Sequence, residues 1–336
     1  MFFVVRVGVV GVGVMGYNHV KTYSDLARDG VVELVGVADI DERRALEVGR
    51  EFGVYASRDY RSLLGRVDAV SIATPTETHG RIVLDFLEAG VHVLVEKPIA
   101  SSVREGLEVV KKARERGVVL MVGHIERFNP AVAALMEHGV GRLIGQPVAG
   151  TAIRSGPFER RVAKTNVVFD LAIHDIDIFN YILRSRVVDV YARSRRVHPE
   201  SAEDDYAFVT LSFENSVDAV VQVSRLTPYK RRILSLTGEK GVVEVNYLMQ
   251  RVVYWENIVA RELTVQREAP LRLELLNFVK AVEGKERPRI TAEEAVYALL
   301  VAEVAVESSR LGRAISVDSY IREKQYTELQ QFYSIF

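Results

Sequence analysis

The stretch that decides the fold is Val7-Gly8-Val9-Val10-Gly11-Val12-Gly13-Val14-Met15-Gly16, near the start of the chain. An uninterrupted apolar run up to Val10 predicts a strand buried on both faces, and the spacing Gly-x-Gly-x-x-Gly predicts a tight turn that opens a helix. The backbone N–H groups at the start of such a helix bind phosphates. The pattern therefore predicts a dinucleotide site, with the pyrophosphate held by Gly11, Val12, Gly13, Met15 and Gly16.

An acidic residue in the expected place supports this prediction. Asp39 ends the apolar run Val35-Gly36-Val37-Ala38-Asp39 and lies 23 positions after Gly16. A carboxylate there accepts hydrogen bonds from the adenosine ribose and repels a 2′-phosphate, so NAD is favoured over NADP. We interpret the neighbouring Arg43 and Arg44 as solvated charges on a helix face.

The first 125 or so residues alternate between short apolar runs and amphipathic stretches. This alternation predicts a doubly wound parallel sheet of the Rossmann type over residues 1–123, covered by helices on both faces. The predicted strands are Val4–Val10, Val32–Val37, Ala69–Ala73, His92–Val95 and Val118–Val122. The predicted helices are His19–Arg28, Asp41–Phe52, Thr78–Glu88 and Val103–Arg116.

The pattern changes after Asn129-Pro130, where Asn129 suits a helix cap and Pro130 suits the first helical turn. Most later strands alternate between apolar and polar residues, which predicts a large, mostly antiparallel sheet in an α+β domain over residues 124–336. The predicted strands are Val188–Arg195, Ala207–Phe213, Asp218–Ser224, Arg232–Leu236 and Val242–Asn246. The predicted helices are Phe169–Leu183, Arg272–Glu283 and Ala292–Arg310.

The composition excludes several classes of protein. The chain has 336 residues, of which 48% are hydrophobic and 26% charged, as in an ordinary globular protein of two domains. A net charge of −1 gives no electrostatic case for binding nucleic acid or a membrane surface. The absence of cysteine excludes disulfides and fits a reducing compartment. Arg6 interrupts the apolar start Met1–Val5, so we expect no signal peptide, no membrane span and a cytoplasmic protein.

Three residues outside the glycine turn have the chemistry for hydride transfer from an alcohol. Lys97 follows a predicted strand, so we expect it at the carboxyl edge of the sheet, where such folds bind ligands. Asp170 and His174 are four residues apart, which places them on one helix face. Histidine titrates near neutral pH and is suited to take the hydroxyl proton. Taken singly, Lys97 also fits a surface turn and His174 a buried, hydrogen-bonded histidine.

Four motifs in this order resemble the glucose–fructose oxidoreductase / inositol dehydrogenase family (Gfo/Idh/MocA), over nearly the whole chain. They are Gly11–Gly16, Ala73-Thr74-Pro75-Thr76-Glu77-Thr78-His79, Glu96-Lys97-Pro98 and Asp170…His174-Asp175. The family often has asparagine where this chain has Thr76.

The resemblance implies an NAD-dependent sugar dehydrogenase. It implies that His174 is the acid/base, that Lys97 assists at the reacting oxygen and that Asp170 positions the sugar or tunes the pair. It also places a group of residues at the dinucleotide, namely Thr74, Pro75, His79, Glu96 and Lys97.

The segment Gly123-His124-Ile125-Glu126-Arg127-Phe128-Asn129-Pro130 resembles family members that oxidise the 3-hydroxyl of UDP-N-acetylglucosamine or of its uronic acid. Arg127 would then pair with a diphosphate or carboxylate, and Asn129 with a hydroxyl or acetamido group. The structural alternatives are that Asn129 is a helix cap and that Glu126 and Arg127 pair with each other or with the helix end.

Other interpretations stay open on the sequence. A free polyol of the inositol type is an alternative substrate, and a dinucleotide-binding regulator without activity is an alternative function. A zinc site would need convergence of His124, Glu126, His174 and Asp175, which their spacing does not indicate, so we predict no metal.

Two surface features bear on ligand binding and on oligomer formation. The basic loop Thr227–Arg232 is either a solvated turn or a contact for a nucleotide diphosphate. The strand with Ala219, Val221 and Val223 on one side has apolar Val220 on the other, so we expect a homodimer or homotetramer through the second sheet.

Overall fold

A computed structural model describes residues 4–335; Met1–Phe3, the first residues of the apolar start, and Phe336 lie outside the described residues. The chain divides into two compact units. The first comprises the described part of Met1–Ile125 together with Ala269–Val296, and the second comprises Glu126–Glu268 and the described part of Tyr297–Phe336.

The first unit contains the predicted parallel sheet. Its six strands lie in the order β3-β2-β1-β4-β5-β6 and every pairing is parallel, which confirms the Rossmann prediction. The strands are β1 Val5–Val10, β2 Val32–Ala38, β3 Tyr55–Ser57, β4 Ala69–Ile72, β5 His92–Glu96 and β6 Leu120–Gly123. The helices are α1 Val14–Arg28, α2 Glu42–Phe52, α3 His79–Glu88 and α4 Val103–Arg116.

Strand β1 determines where a ligand binds in this unit. It pairs with β2 on one side and β4 on the other, so the order of the strands reverses at this point. In open sheets of this kind, ligands bind beyond the carboxyl end of the strands at such a reversal. The glycine turn follows β1 directly and therefore lies at the expected position.

The second unit contains the predicted mostly antiparallel sheet. Its nine strands lie in the order β14-β13-β12-β11-β7-β10-β9-β8-β15, and only the pairing of β7 with β10 is parallel. The strands are β7 Pro147–Ser155, β8 Val187–Arg195, β9 Tyr206–Phe213, β10 Asp218–Ser224, β11 Arg231–Gly238, β12 Gly241–Asn246, β13 Arg251–Glu256, β14 Val259–Glu262 and β15 Ile315–Ser316. The remaining helices are α5 Pro130–His138, α6 Val140–Ile144, α7 Ile173–Leu183, α8 Pro270–Val282, α9 Ala292–Leu311 and α10 Val317–Lys324.

Several predicted boundaries differ from the structure. Helix α1 begins at Val14, inside the glycine motif, rather than at His19, because the turn itself is the first part of the helix. Strands β3, β7, β13 and β14 were not predicted, because they are short or lack a clean apolar alternation. The cap at Asn129 is confirmed: its side chain accepts a hydrogen bond from the Ala131 N–H, with Pro130 in the first turn.

The residue ranges of the two units also differ from those of the predicted domains. We expected the second domain to hold all of residues 124–336, but residues 269–296 belong to the first unit. Helix α8 packs against α1, and its buried residues include Leu275, Phe278 and Val279. Among the described residues, no helix is both long enough and apolar enough to span a bilayer.

Candidate active site

Steric contacts explain two glycines of the turn. Gly11 has a φ of +81°, and a Cβ there would lie 2.7 Å from the carbonyl oxygen of Ala73. A Cβ on Gly16 would lie 1.7 Å from the carbonyl oxygen of Gly11. The start of α1 therefore touches the end of β1 so closely that no side chain fits between them.

No steric contact requires glycine at position 13. Its φ of −66° suits any residue, and a Cβ there would meet nothing within 4 Å. The space beside Gly13 is therefore open, as it must be if a pyrophosphate is to approach the backbone at this point. The glycine turn fits a dinucleotide on this ground.

Asp39 links the turn to the end of β2. Its Oδ2 accepts a hydrogen bond from the Val12 N–H at 2.8 Å, and its Oδ1 accepts one from the Asp41 N–H at 2.9 Å. The Arg44 Nη1 lies 3.5 Å from Oδ2, whereas Arg43 pairs with Glu47 on the surface of α2. The carboxylate is thus fixed in the position predicted for a ribose contact.

The loop after β4 is braced by His79. The ring is 1% exposed, and its nitrogens lie 2.8 Å from the Pro98 carbonyl oxygen and 2.9 Å from that of Thr74. Burial lowers the pKa of His79, although the two carbonyl groups act in the opposite direction. His79 therefore joins the Thr74-Pro75 loop to Pro98, and its burial argues against the direct dinucleotide contact that the resemblance implied.

Glu96 ends β5, Lys97 follows it, and the Lys97–Pro98 peptide bond is cis. The His19 Nε2 lies 3.1 Å from the Glu96 Oε1. Burial raises the pKa of Glu96, but the hydrogen bond from His19 and the nearby positive charges outweigh it, so the net shift is downward. Glu96 is thus an ionised partner of His19, while the half-buried Lys97 follows it in the chain.

His19, Glu96 and Glu274 form a group that the sequence did not indicate. Their potential metal-ligand atoms lie within 4.8 Å of one another, and His19 and Glu274 are fully buried. In the described part of the chain, no group of this kind contains His124, Glu126, His174 or Asp175, the four residues considered for zinc.

Asp170 and His174 lie at the junction of two helical segments. Val168–Ala172 forms a π-helical turn, and α7 follows it directly. Of the eleven residues of α7, only His174 and Tyr181 are not buried. The predicted helix is therefore confirmed, and His174 is one of the two residues of α7 that are not buried.

Arg225 holds Asp170 in place. Its Nη2 donates to the Asp170 Oδ2 at 2.7 Å, and its Nη1 donates to the carbonyl oxygens of Val162 and Thr165 at 3.1 and 2.7 Å. The guanidinium is 3% exposed and the Asp170 side chain 21% exposed. Sequence reasoning missed Arg225, although it continues the inward-facing alternation of Ala219, Val221 and Val223.

Arg154 holds the next residue of the helix. It donates to both Asp175 oxygens, at 2.7 and 3.0 Å, and to the Glu126 Oε1 at 2.7 Å. All three side chains are at most 5% exposed. Burial raises the pKa of Asp175, and the charge of Arg154 opposes that rise. The backbone of α7 next to His174 is therefore held by a buried ion-pair cluster.

The predicted substrate contacts of Arg127 and Asn129 are not supported by their surroundings. Arg127 pairs in bidentate fashion with Asp177 at 2.7–3.1 Å, and its side chain is 1% exposed. Asn129 is 3% exposed, and besides capping α5 it donates to Glu126 and to the carbonyl oxygen of Tyr247. Both side chains stabilise the second unit from inside, so the capping alternative describes Asn129 better than ligand binding does.

Comparison with known proteins agrees with the fold and the motifs. Residues 5–124 match the NAD-binding Rossmann domain of the Gfo/Idh/MocA oxidoreductase family, and residues 144–244 match a C-terminal domain of that family. The chain is 34% identical to UDP-N-acetylglucosamine 3-dehydrogenase of Acidithiobacillus ferrooxidans, over 72% of this chain and 74% of the relative. It is 29% identical to scyllo-inositol 2-dehydrogenase (NAD(+)) of Bacillus subtilis, over 94% and 96%. A solved structure of the Acidithiobacillus enzyme superposes with a TM-score of 0.84 at 29% identity, covering 92% of this chain and 99% of that one.

This chain belongs to the Gfo/Idh/MocA family. It is an oxidoreductase whose first unit binds NAD, which confirms the predicted class and cofactor.

The different reasons for Gly13 and Gly16 can be separated by mutation. Gly13→Ala should fold with nearly unchanged stability but lose at least about tenfold in NAD affinity, because the new methyl group occupies the space left for the pyrophosphate. Gly16→Ala should be destabilised by about 1–3 kcal/mol, because the methyl group collides with a backbone carbonyl. Calorimetric NAD titration and thermal unfolding of both variants provide the test. Equal NAD affinity of Gly13→Ala and the wild type would contradict this account of the turn.

Removal of the Arg154 charge should destabilise the protein in a pH-dependent way. Arg154→Met removes the cation that binds the buried Asp175 and leaves Glu126 with the longer contact to Arg232, which costs about 3–5 kcal/mol at neutral pH. Burial already raises the pKa of Asp175, and without the opposing charge of Arg154 it lies further above the unfolded value, so the folded variant binds more protons and loses stability as pH rises. Urea unfolding at about pH 5 and about pH 7 should show the smaller loss at the lower pH.

Arg142→Met, on an exposed arginine of α6, is the matched control and should change stability by no more than about 0.5 kcal/mol. A loss in Arg154→Met that does not vary with pH would show that the carboxylates are not its cause.

Proposed function

We propose that the protein oxidises a ring hydroxyl of a nucleotide sugar to a ketone, with the 3-hydroxyl of UDP-N-acetylglucosamine as the substrate group. The observation that carries the proposal is the partial exposure of His174 on a helix that is buried at every other position except Tyr181 and is held by ion pairs. A histidine fixed in this way is suited to accept a proton from a substrate hydroxyl.

The roles of the residues follow the family pattern. NAD⁺, when bound, supplies the acceptor for the hydride that leaves the hydroxyl-bearing carbon. His174 takes the hydroxyl proton as the C–O bond becomes a carbonyl, so that one hydride and one proton leave the alcohol. Lys97 assists at the reacting oxygen by donating a hydrogen bond, which favours the developing negative charge.

Asp170 completes the proposed catalytic set. Its carboxylate accepts the hydrogen bond from Arg225 through Oδ2, and a fifth of its side-chain surface is exposed. It is therefore both fixed and accessible, which suits a residue that positions a sugar hydroxyl. Gly11, Gly13, Gly16 and Asp39 hold the dinucleotide in this proposal.

Two substrate classes have support. The similarity to a UDP-N-acetylglucosamine 3-dehydrogenase at 34% identity and the resemblance of the segment 123–130 favour the nucleotide sugar. The similarity to scyllo-inositol 2-dehydrogenase extends over 94% of this chain and favours a free polyol as the second candidate. Parallel assays of NADH formation with UDP-N-acetylglucosamine, N-acetylglucosamine and the inositols distinguish them.

Substitution of the proposed catalytic residues tests the mechanism. Lys97→Ala and His174→Ala should each lower kcat by a factor of about 10² or more, because each loses a group that acts on the reacting oxygen or its proton. NAD affinity of His174→Ala should stay within about twofold of wild type, since His174 lies outside the NAD-binding unit. Steady-state NADH formation and calorimetric NAD titration provide both measurements.

His138→Ala and Lys111→Ala are the matched controls, since these residues lie on the surfaces of α5 and α4. Both should keep kcat within about twofold of wild type. Turnover near the wild-type rate in both Lys97→Ala and His174→Ala would refute the proposed site.

We also propose that the second sheet mediates homo-oligomer formation. The face of this sheet that carries Val220 also exposes Tyr191 and Phe208, with 38%, 40% and 41% of their surface accessible. Thr210 pairs with both Tyr191 and Val220, so these side chains are cross-strand neighbours on one face. An apolar face of this kind favours contact with a second copy of the chain.

The oligomer proposal predicts a charge-sensitive assembly. The wild-type chain should elute from gel filtration with light scattering as a dimer or tetramer at about micromolar concentration. Val220→Glu should shift the distribution toward the monomer, because the introduced carboxylate would be buried at the contact. Asp218→Glu, at the exposed end of the same strand, is the control. A monomeric wild type would refute the proposal.

A further inference from the structure

Three arginines lie on one face of the second sheet, at the same end of three neighbouring strands. Arg154 lies near the end of β7, Arg225 directly follows β10, and Arg232 is the second residue of β11. The register pairs Arg154 with Arg232 and with Val223, so all three side chains point to the face that carries the π-helical turn and α7. The buried Leu234 and Leu236 continue this face along β11.

The pairing of Arg154 with Arg232 is unfavourable by itself. Residues directly opposite in an antiparallel pair have their Cβ atoms about 4.5–5.5 Å apart, and like charges in that position repel. Burial lowers the pKa of Arg232, and the charge of Arg154 lowers it further. An arginine in this position requires a compensating anion.

Each carboxylate near these arginines already accepts a hydrogen bond from Arg154 or Arg225. Arg225 binds Asp170 at 2.7 Å, and Arg154 occupies both oxygens of Asp175. The Glu126 Oε1, which accepts from Arg154 at 2.7 Å, is 3.4 Å from the Arg232 Nη1. Arg232 thus has a long contact to an oxygen that already has a stronger donor.

Arg232 is also the accessible member of the three. Its side chain is 35% exposed, compared with 1% for Arg154 and 3% for Arg225. It lies 3.4 Å from Glu126 and opposite Arg154, which binds Asp175, so it is beside the proposed catalytic segment. A guanidinium offers five N–H donors in a planar fork that matches the oxygens of a phosphate or carboxylate.

We infer that Arg232 binds the diphosphate group of the substrate. The inference rests on the proposed function, in which the substrate is a UDP-sugar and the reacting ring is joined to a diphosphate. It assigns a role to Arg232, which the sequence analysis placed in the basic loop Thr227–Arg232 and which the structure places in β11. Its neighbour Arg231 is exposed and alternates to the opposite face of β11, so it has no part in this site.

The test compares Arg232→Ala with Arg231→Ala. Arg232→Ala should weaken the binding of UDP, measured by calorimetry, by at least about tenfold, which corresponds to about 1.4 kcal/mol. The KM for UDP-N-acetylglucosamine should rise by a similar factor, whereas kcat/KM for an uncharged polyol should change by less than about twofold. Arg231→Ala should leave all of these values within about twofold of wild type.

We expect the Arg232→Ala variant to fold. Because Arg232 opposes a like charge, Arg232→Ala should unfold at the same temperature as the wild type or higher. Arg232→Lys keeps the charge without the fork and should show an intermediate UDP affinity. If Arg232→Ala fails to fold, Arg232→Gln provides the neutral comparison.

The outcomes separate this inference from the proposed function. Unchanged UDP affinity in Arg232→Ala, or no UDP binding by the wild type, overturns the inference, even where UDP-N-acetylglucosamine is oxidised. A loss of affinity for a sugar carboxylate without a loss for UDP also overturns it. UDP binding that depends on Arg232, with no oxidation of any UDP-sugar, supports the diphosphate site and refutes the proposed substrate.

Discussion

The arrangement of the second unit depends on the pairing of Arg154 with Asp175 and Glu126. All three charges are buried, and a buried charge is stable only beside its partner. Asp175 therefore has one position available, and the helix that carries it has one orientation. His174 is the adjacent residue and is half-buried, so the same ion pairs that hold the helix also fix the backbone position from which the imidazole ring projects.

Two further ion pairs hold the same segment of the chain in this way. Asp170 is held by Arg225 on one side of His174, and Asp177 is held by Arg127 on the other. Replacement of such pairs by apolar residues is often tolerated, so stability alone does not explain their presence. Together these ion pairs fix the rotation of the π-helical turn and α7 about their axis and the distance of both from the sheet. A helix that carries catalytic residues requires such a fixed position.

In the first unit, close backbone contacts and hydrogen bonds fix the position of the glycine turn and the loops around it. Gly11 and Gly16 bring the end of β1 and the start of α1 into direct backbone contact, and Asp39 accepts a hydrogen bond from the Val12 N–H. His79 joins the loop after β4 to Pro98, next to Lys97. The space beside Gly13 stays open because the surrounding backbone is held in this way.

The sequence by itself determined the features that depend on neighbours in the chain. Buried strands, amphipathic helices, the glycine turn and the Asn129 cap are local, and α4 and β10 have the predicted bounds. The tertiary structure alone decided the pairing of charges: Arg154 is 21 residues from Asp175, and Arg225 is 55 residues from Asp170. It also placed α8 in the first unit and buried Arg127, Asn129 and His79, which the motifs had suggested as ligand contacts. The physical reason is that burial and ion pairing depend on which strands and helices meet in space, and a local pattern of residue types contains no information about that meeting.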